Sequence, residues 1–310
     1  MIEKIASAGL PVDEEFRIQK NSVTPEGKES NGKRICIVTG THGDELEGQY
    51  VCYEVQRRIK ENPQYLEGTV DVYPALNPLG VDTITRGMPK FDLDMNRIFP
   101  GNLNGTLAEY AAAKIMEDMS GADMVIDIHA SNIFLQEIPQ VRINEMCQEE
   151  LVPYAKLINI DYIWIHSAAT VLESTLAHSL NTTGTPCLVV EMGVGMRITK
   201  AYGDQLCDGI FNLMKELGIW SGPVKEPKEA IVSTDGSVSY LNAAYSGVFV
   251  PCAEHWKDVK KGQKIGEIVN PLTGELLEEV TSPVNGVLFT LREFPVVYEG
   301  SLLGRILERE

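Results

Sequence analysis

Short apolar runs rich in β-branched residues alternate with longer mixed segments over the first two thirds of the chain. RICIVTG (34–40) predicts a strand. ELEGQYVCYEVQRRIKEN, directly after it, predicts an amphipathic helix that ends near Asn62-Pro63. TVDVYPALNP (69–78) predicts the next strand, TLAEYAAAKIMEDM (106–119) a helix, and ADMVIDIHAS (122–131) a strand of the fully buried kind. DYIWIHS and TPCLVVEMG predict two more strands, and YGDQLCDGIFNLMKELGI (202–219) a helix stopped by WSGP. Strands that alternate with helices in this way imply an α/β domain, a mostly parallel or mixed sheet flanked by helices.

The pattern changes after SGPVKEPKEA (221–230), which reads as a linker. GVFVPC, VKKGQKIGEIV, SPVNGVLFTL and PVVYEGSLLGRIL are short runs broken by glycine, the pattern of hairpins. The expected division is therefore 1–225 and 226–310, the second a smaller all-β domain. A length of 310 residues suits one large core and one small one.

Charge then narrows the partners. The formal net charge of -17 repels nucleic acid and anionic membranes, so neither is expected as a partner, and a small-molecule substrate is. No run is long enough to span a bilayer, and MIEKIASAGLPVDEEF has no basic start followed by a long apolar core. The six cysteines are scattered with no CxxC, which suggests reduced thiols and a cytoplasmic protein. A homo-oligomer is left open by all of this.

In an open α/β sheet, ligands bind beyond the carboxyl ends of the strands. The strand at 34–40 delivers His42 and Glu45 in GTHGDELEG; the one at 122–129 delivers His129, with Asp127 on the same face; CLVVE delivers Glu191. Two histidines and a carboxylate form a usual three-ligand zinc set that keeps a fourth position for water. Glu191 would then be the general base that takes the proton of that water and passes it to a leaving amine. A plainer reading of GTHGDELEG has Thr41 or Asp44 capping the next helix, with acids at its positive end. No HExxH motif is present.

NPLGVDTITRGMPKFDLDMNRIFPG (77–101) reads as a long irregular segment, and such segments in compact domains are usually functional or disordered. Its Arg86, Asn96 and Arg97 could form a cationic and amide clamp for a carboxylate, or simply a solvated surface.

GTHGDELEG, NP…R…DLDMNRIFPG, DIHAS and VEMG, in this order, resemble the succinylglutamate desuccinylase/aspartoacylase family, a branch of the zinc carboxypeptidase-like hydrolases. The likeness covers most of residues 34 to 200, and the glycine-punctuated C-terminal segment is similar to that of bacterial members. The resemblance implies that one zinc ion per chain is bound by His42, Glu45 and His129, that Glu191 is the general base, and that Arg86 steadies the oxyanion. It implies further that Asn96 and Arg97 grip the free carboxylate of the substrate, and that Asp94 orients the first zinc histidine. Asp127 is a weaker candidate for such support, Arg197 for a substrate contact and Tyr298 for closing the site. The C-terminal part also resembles a biotinyl/lipoyl-type barrel-sandwich, but its turn NPLTGEL has no lysine to modify. It is expected to shape or cover the mouth of the site, or to mediate assembly. His166 is read as a packed histidine or one that lines the pocket; His178 and His255 are read as structural or surface.

The expected activity is zinc-dependent hydrolysis of the amide bond of an N-acyl amino acid or similar small carboxylate. A metallocarboxypeptidase acting on a peptide C-terminus would use the same chemistry, and an idle metal-binding scaffold is a third reading.

Overall fold

The computed structural model describes residues 1–91, 93–167 and 173–309. A hairpin of β1 (Ile2–Gly9) and β2 (Glu15–Val23) opens the chain, followed by β3 (Arg34–Val38), α1 (Glu47–Glu61), β4 (Thr69–Tyr73) and α2 (Pro78–Thr83). Next come α3 (Leu107–Met119), β5 (Met124–His129), β6 (Leu135–Asn144), α4 (Gln148–Ala155) and β7 (Tyr162–His166). Then α5 (Leu176–Thr182), β8 (Cys187–Gly193) and α6 (Lys200–Glu216) complete the α/β part.

Strands β4, β3, β5 and β8 lie side by side and parallel. The hairpin joins antiparallel at β4, and β6 joins antiparallel at β8, so the sheet is mixed. The parallel strands are apolar because both faces are covered. Ile35 and Ile37 of β3 pack with Val51, Val55 and Ile210 of α1 and α6. Cys36 and Val38, pointing the other way, pack with Ala111, Ile115 and Leu180 of α3 and α5. The strands run in parallel, so their carboxyl ends open on one edge.

β1 and β6 are among the strands that the hydrophobic pattern did not announce. β1 buries little of its length, and its alternation is correspondingly weak. β6 is almost entirely covered, yet holds Glu137, Pro139, Gln140 and Arg142, a polar string that reads as loop.

Residues 221–230 have no regular structure. The remainder is all β: β9 (Ile231–Thr234), β10 (Val238–Asn242), β11 (Gly247–Pro251), β12 (Asp258–Val259), β13 (Lys264–Asn270), β14 (Glu275–Thr281), β15 (Gly286–Arg292), β16 (Val296–Val297) and β17 (Leu302–Glu308). β14, β13, β11 and β16 make a separate four-stranded antiparallel sheet. Its core of Phe249, Ile265 and Ile268 is shared with Leu288 and Ile306 of β15 and β17. β15, β17 and β10 instead extend the main sheet. β15 pairs with Leu135–Glu137 at the start of β6, while β7 takes Gln140–Asn144 on the same edge and carries β9.

The exits of β3 and β4 are stitched together. Thr39 N–H donates to Tyr73 O, Asn77 N–H to Gly40 O and Gly43 N–H to Thr85 O, at 3.0, 2.8 and 3.0 Å. Gly40 has a φ of +68°, a conformation that disfavours any side chain. A Cβ on Gly43 would lie 1.9 Å from the carbonyl carbon of Gly80, so the turn bearing His42 lies directly on α2. Gly43→Ala should therefore cost ~1–3 kcal/mol of stability through overpacking, read as a lower urea midpoint at unchanged slope. An unchanged midpoint would contradict this packing.

Candidate active site

The turn after β3 supplies His42 and Glu45, and the last residue of β5 is His129. Parallel pairing of β3 with β5 brings the two exits side by side. His42 Nδ1 lies 2.8 Å from Glu45 Oε1, His129 Nδ1 lies 2.9 Å from Glu45 Oε2, and the two Nδ1 atoms are 3.3 Å apart. All three side chains are buried, and their donor atoms lie within 4.8 Å of one another. Adjacent donors around a tetrahedral zinc would be ~3.3 Å apart, within about half an ångström of these separations, so two imidazole nitrogens and a carboxylate placed like this could hold that ion.

The outer nitrogens face carboxylates. His42 Nε2 meets Asp94 Oδ1 at 3.0 Å. His129 Nε2 lies 3.0 Å from Asp127 Oδ2, one strand position pair back on the same face, but is not aligned for a hydrogen bond. Burial lowers the pKa of both imidazoles, yet the neighbouring carboxylates outweigh it. Glu45 and Asp94 raise His42 above the usual histidine value, and Asp127 and Glu45 raise His129 well above it. Burial likewise opposes ionisation of Glu45, but the two imidazoles hold its carboxyl well below the usual range. Burial also acts against Asp94, and His42 and Arg86 overcome it. Glu45 has further donors in Ala130 N–H at 3.1 Å and Arg86 Nη1 at 3.0 Å.

Of the plainer reading of GTHGDELEG, the acid at the helix start is present as Glu47 in the first turn of α1, but the cap is not. The N-cap of α1 is Leu46, with no side-chain cap, and neither Thr41 nor Asp44 serves the helix end. Glu47 is a buried acid that accepts from Thr199 N–H, far along the chain.

A cavity of about 450 Å³ opens beside these groups. His42, Glu45, His129, Glu191, Arg86, Asn96 and Arg97 all line it. Glu191 sits directly opposite His129 across the parallel β5–β8 pair. Its Oε2 accepts from Ser131 N–H at 2.5 Å, and its Oε1 lies 3.3 Å from Arg142 Nη1. Arg86 is 38% exposed and also reaches Asp94 Oδ2 at 3.4 Å. Asn96 is held by its Oδ1, which accepts from Leu176 N–H at 2.9 Å. Arg97 donates to Asn96 O at 2.7 Å, and among the described residues it forms no ion pair.

Other residues of the wall had no motif to announce them. Arg142 and Asn144 come from the middle and end of β6, and Arg305 from β17. His166 and His178 line the cavity too; His178, read from sequence as structural or surface, is part of the wall. His166 Nδ1 lies 2.9 Å from Asp235 Oδ1, and burial, with Arg142 next, pushes the imidazole down to about 4. His255 instead has Nε2 2.8 Å from Phe289 O, away from the cavity. Tyr298 is 73% exposed and Arg197 pairs with Glu293 at the surface, so neither lines the wall.

The arrangement offers a triad that could hold a metal, a carboxylate facing the same space and an arginine with no ion pair among the described residues. Such a set suits attack by water on a carbonyl compound that bears a negative charge. Similar proteins are consistent with that chemistry. The chain is 24% identical over 278 residues to the N-alpha-acetyl-L-2,4-diaminobutyric acid deacetylase of Halomonas elongata, covering 86% of this chain and 80% of that protein. Its fold matches the crystal structure of a succinylglutamate desuccinylase/aspartoacylase from Rhodobacter sphaeroides with a TM-score of 0.81 at 21% identity, over 100% of this chain and 95% of the other. It also matches the product-bound ectoine utilization protein EutE (DoeB) from Ruegeria pomeroyi with a TM-score of 0.84 at 18% identity, over 99% and 93%. Residues 31–217, which carry every group of the triad and Glu191, match the succinylglutamate desuccinylase/aspartoacylase catalytic domain, and the chain belongs to that family.

Proposed function

We propose that the protein is a zinc-dependent deacylase that hydrolyses the amide of an N-acyl amino acid or similar small carboxylate. The observation that carries this is the convergence of His42, Glu45 and His129 with Glu191 on one cavity wall. Residues 1–225 would form the catalytic part and 226–310 the smaller β part.

Zinc held by His42 Nδ1, Glu45 and His129 Nδ1 would supply a water of lowered pKa and polarise the amide carbonyl. Glu191 takes the proton of the attacking water and gives it to the departing amine. Its carboxylate suits this because both oxygens are already oriented, by Ser131 N–H and by Arg142. Arg86, the partly exposed guanidinium at the triad, swings from Glu45 and Asp94 to the developing oxyanion, a contribution of ~3 kcal/mol for such donors. Arg97 takes the carboxylate of the substrate, being the cation in the wall with no carboxylate of its own among the described residues. Asn96, fixed through Oδ1, offers its amide N–H beside it. Asp94 fixes the tautomer of His42 by accepting from Nε2–H, leaving Nδ1 for the metal.

Amine release should be measured with zinc-loaded protein on N-acetyl, N-formyl and N-succinyl amino acids, Nα-acetyl-2,4-diaminobutyrate among them, beside short peptides with free C-termini. Turnover of one acyl class, reduced ~10²–10⁴-fold by Glu191→Gln at unchanged zinc content, is the expected result. Turnover of peptides alone would replace the deacylase reading with a carboxypeptidase.

Asp94→Asn should weaken zinc binding or activity ~10–100-fold, read by competition with a chromophoric chelator. Wild-type affinity and activity in that variant would remove Asp94 from its assigned role.

The site also dictates a pH dependence. His42 and His129 both hold protons more tightly than a free imidazole in the metal-free chain, and each must lose its proton to bind metal. Zinc addition near neutrality should therefore release protons, and apparent affinity should climb as the pH rises from the usual histidine range upward. An affinity that stays flat over that range would mean that these imidazoles are not the ligands.

A further inference from the structure

We propose that Arg142 is a positioning residue for Glu191, and that the C-terminal strands hold it in place through the buried carboxylate of Glu137. The proposal rests on the reading of Glu191 as the general base.

Glu137 is fully buried on β6. Its Oε1 accepts from Arg142 Nη2 at 3.1 Å and from Arg305 Nη1 at 2.8 Å. Its Oε2 accepts from Gln140 Nε2 at 2.9 Å and from Thr290 Oγ1 at 2.5 Å. Two of these four donors thus come from β15 and β17. Strand register dictates the arrangement: Arg305 pairs with Thr290, and Thr290 pairs with Glu137, so the three stand in one row across β17, β15 and β6.

The row continues to the site. Arg142 pairs with Val189, two residues before Glu191 on β8, so both side chains lie on the cavity face. The guanidinium is a rigid fork whose two Nη atoms are divided between two carboxylates, Glu137 at one tip and Glu191 at the other. Trp164, paired with Arg142 on β7, lies beneath it, with the guanidinium 5.6 Å from the ring centre.

A carboxylate at a cavity wall turns freely about its last torsion unless both oxygens are held. Ser131 N–H holds one oxygen of Glu191 and Arg142 the other. Rotation of that carboxylate moves the accepting oxygen by an ångström or more, and misplacement on that scale costs ~10²-fold in rate. Glu137 prevents the guanidinium itself from drifting, and Thr290 and Arg305 prevent Glu137 from doing so. On this account the C-terminal segment takes part in aligning the base, not only in covering the cavity.

The test compares Arg142→Lys, Arg142→Ala, Thr290→Val and Glu191→Gln on the panel of N-acetyl, N-formyl and N-succinyl amino acids. Each variant is scored for kcat, KM, bound zinc and thermal unfolding. Arg142→Lys keeps the charge beside Glu137 but cannot span both carboxylates. It should fold, keep its zinc and KM, and lose kcat ~10²-fold. Guanidinium added to Arg142→Ala should restore part of kcat, and should do nothing for Glu191→Gln. Thr290→Val should lose kcat by a smaller factor, again at constant KM. A folded Arg142→Lys with wild-type kcat overturns the proposal, and so does a loss confined to KM, which would make Arg142 a substrate contact. If Arg142→Ala does not fold, Arg142→Lys and Thr290→Val decide alone. Turnover that survives Glu191→Gln, or none by the unaltered chain, removes the functional reading and this proposal together. Turnover abolished by Glu191→Gln but intact in Arg142→Lys removes this proposal only.

Discussion

Glu45 is a carboxylate taken out of water, and the surrounding structure meets the condition that such a group imposes. An ionised carboxylate in a protein interior costs several kcal/mol unless its oxygens are paired and hydrogen-bonded. Here two imidazoles, a guanidinium and a backbone N–H meet them. To bring His42 and His129 to one carboxylate, β3 and β5 must be neighbours and must end at the same level, which parallel pairing provides. For Glu45 to fold back towards its own strand end, the turn must run tightly over α2, which Gly40 and Gly43 allow. Asp94 and Asp127 add two more carboxylates behind the imidazoles. With neutral imidazoles, three carboxylates against Arg86 leave an excess of negative charge, and a divalent cation at the Nδ1 atoms would offset it.

The same condition is met a second time, one strand away. Glu137 is as buried as Glu45. Its charge is balanced by Arg142 and Arg305, with Gln140 and Thr290 taking up the remaining acceptor capacity. Removing one member from a cluster of this kind leaves an uncompensated charge, which is the costly case. The C-terminal strands are therefore bound to the α/β sheet by specific charges as well as by the apolar contacts of Tyr162, Trp164, Phe289 and Leu307.

The legibility of these two clusters in the sequence differs for a physical reason. His42 and Glu45 are three residues apart, and His129 and Glu191 each end an apolar run that reads as a buried strand. Strand ends are where a sheet presents ligands, so position and residue type pointed the same way. The apolar strands of the α/β part were visible because burial on both faces leaves a continuous hydrophobic run, whereas the change to β structure showed in short runs broken by glycine. β6 hides because its buried face is polar. Glu137, Gln140 and Arg142 pair with one another and with residues of β8, β15 and β17, so nothing local marks them as interior. Arg305 lies 168 positions from Glu137, and only the register of three strands brings them together. A carboxylate whose partners come from distant strands has no spacing to recognise.

Charge shows how far local arrangement can depart from composition. The chain carries a formal net charge of -17, yet Arg86, Arg97, Arg142 and Arg305 line the cavity. These arginines are not equivalent. Arg305 is committed to Glu137, Arg142 is divided between Glu137 and Glu191, and Arg86 is shared between Glu45 and Asp94. Among the described residues, Arg97 meets a backbone carbonyl and no carboxylate. An anionic substrate approaching through an acidic surface gains nothing from long-range attraction, which is screened within ~8 Å at physiological salt. It gains from a guanidinium whose fork is not already filled, in a recess where water is scarce and each charge-assisted hydrogen bond counts for more. On the proposed function, selectivity for a carboxylate would follow from Arg97, which forms no ion pair among the described residues, against a background of paired arginines, whatever the sign of the protein as a whole.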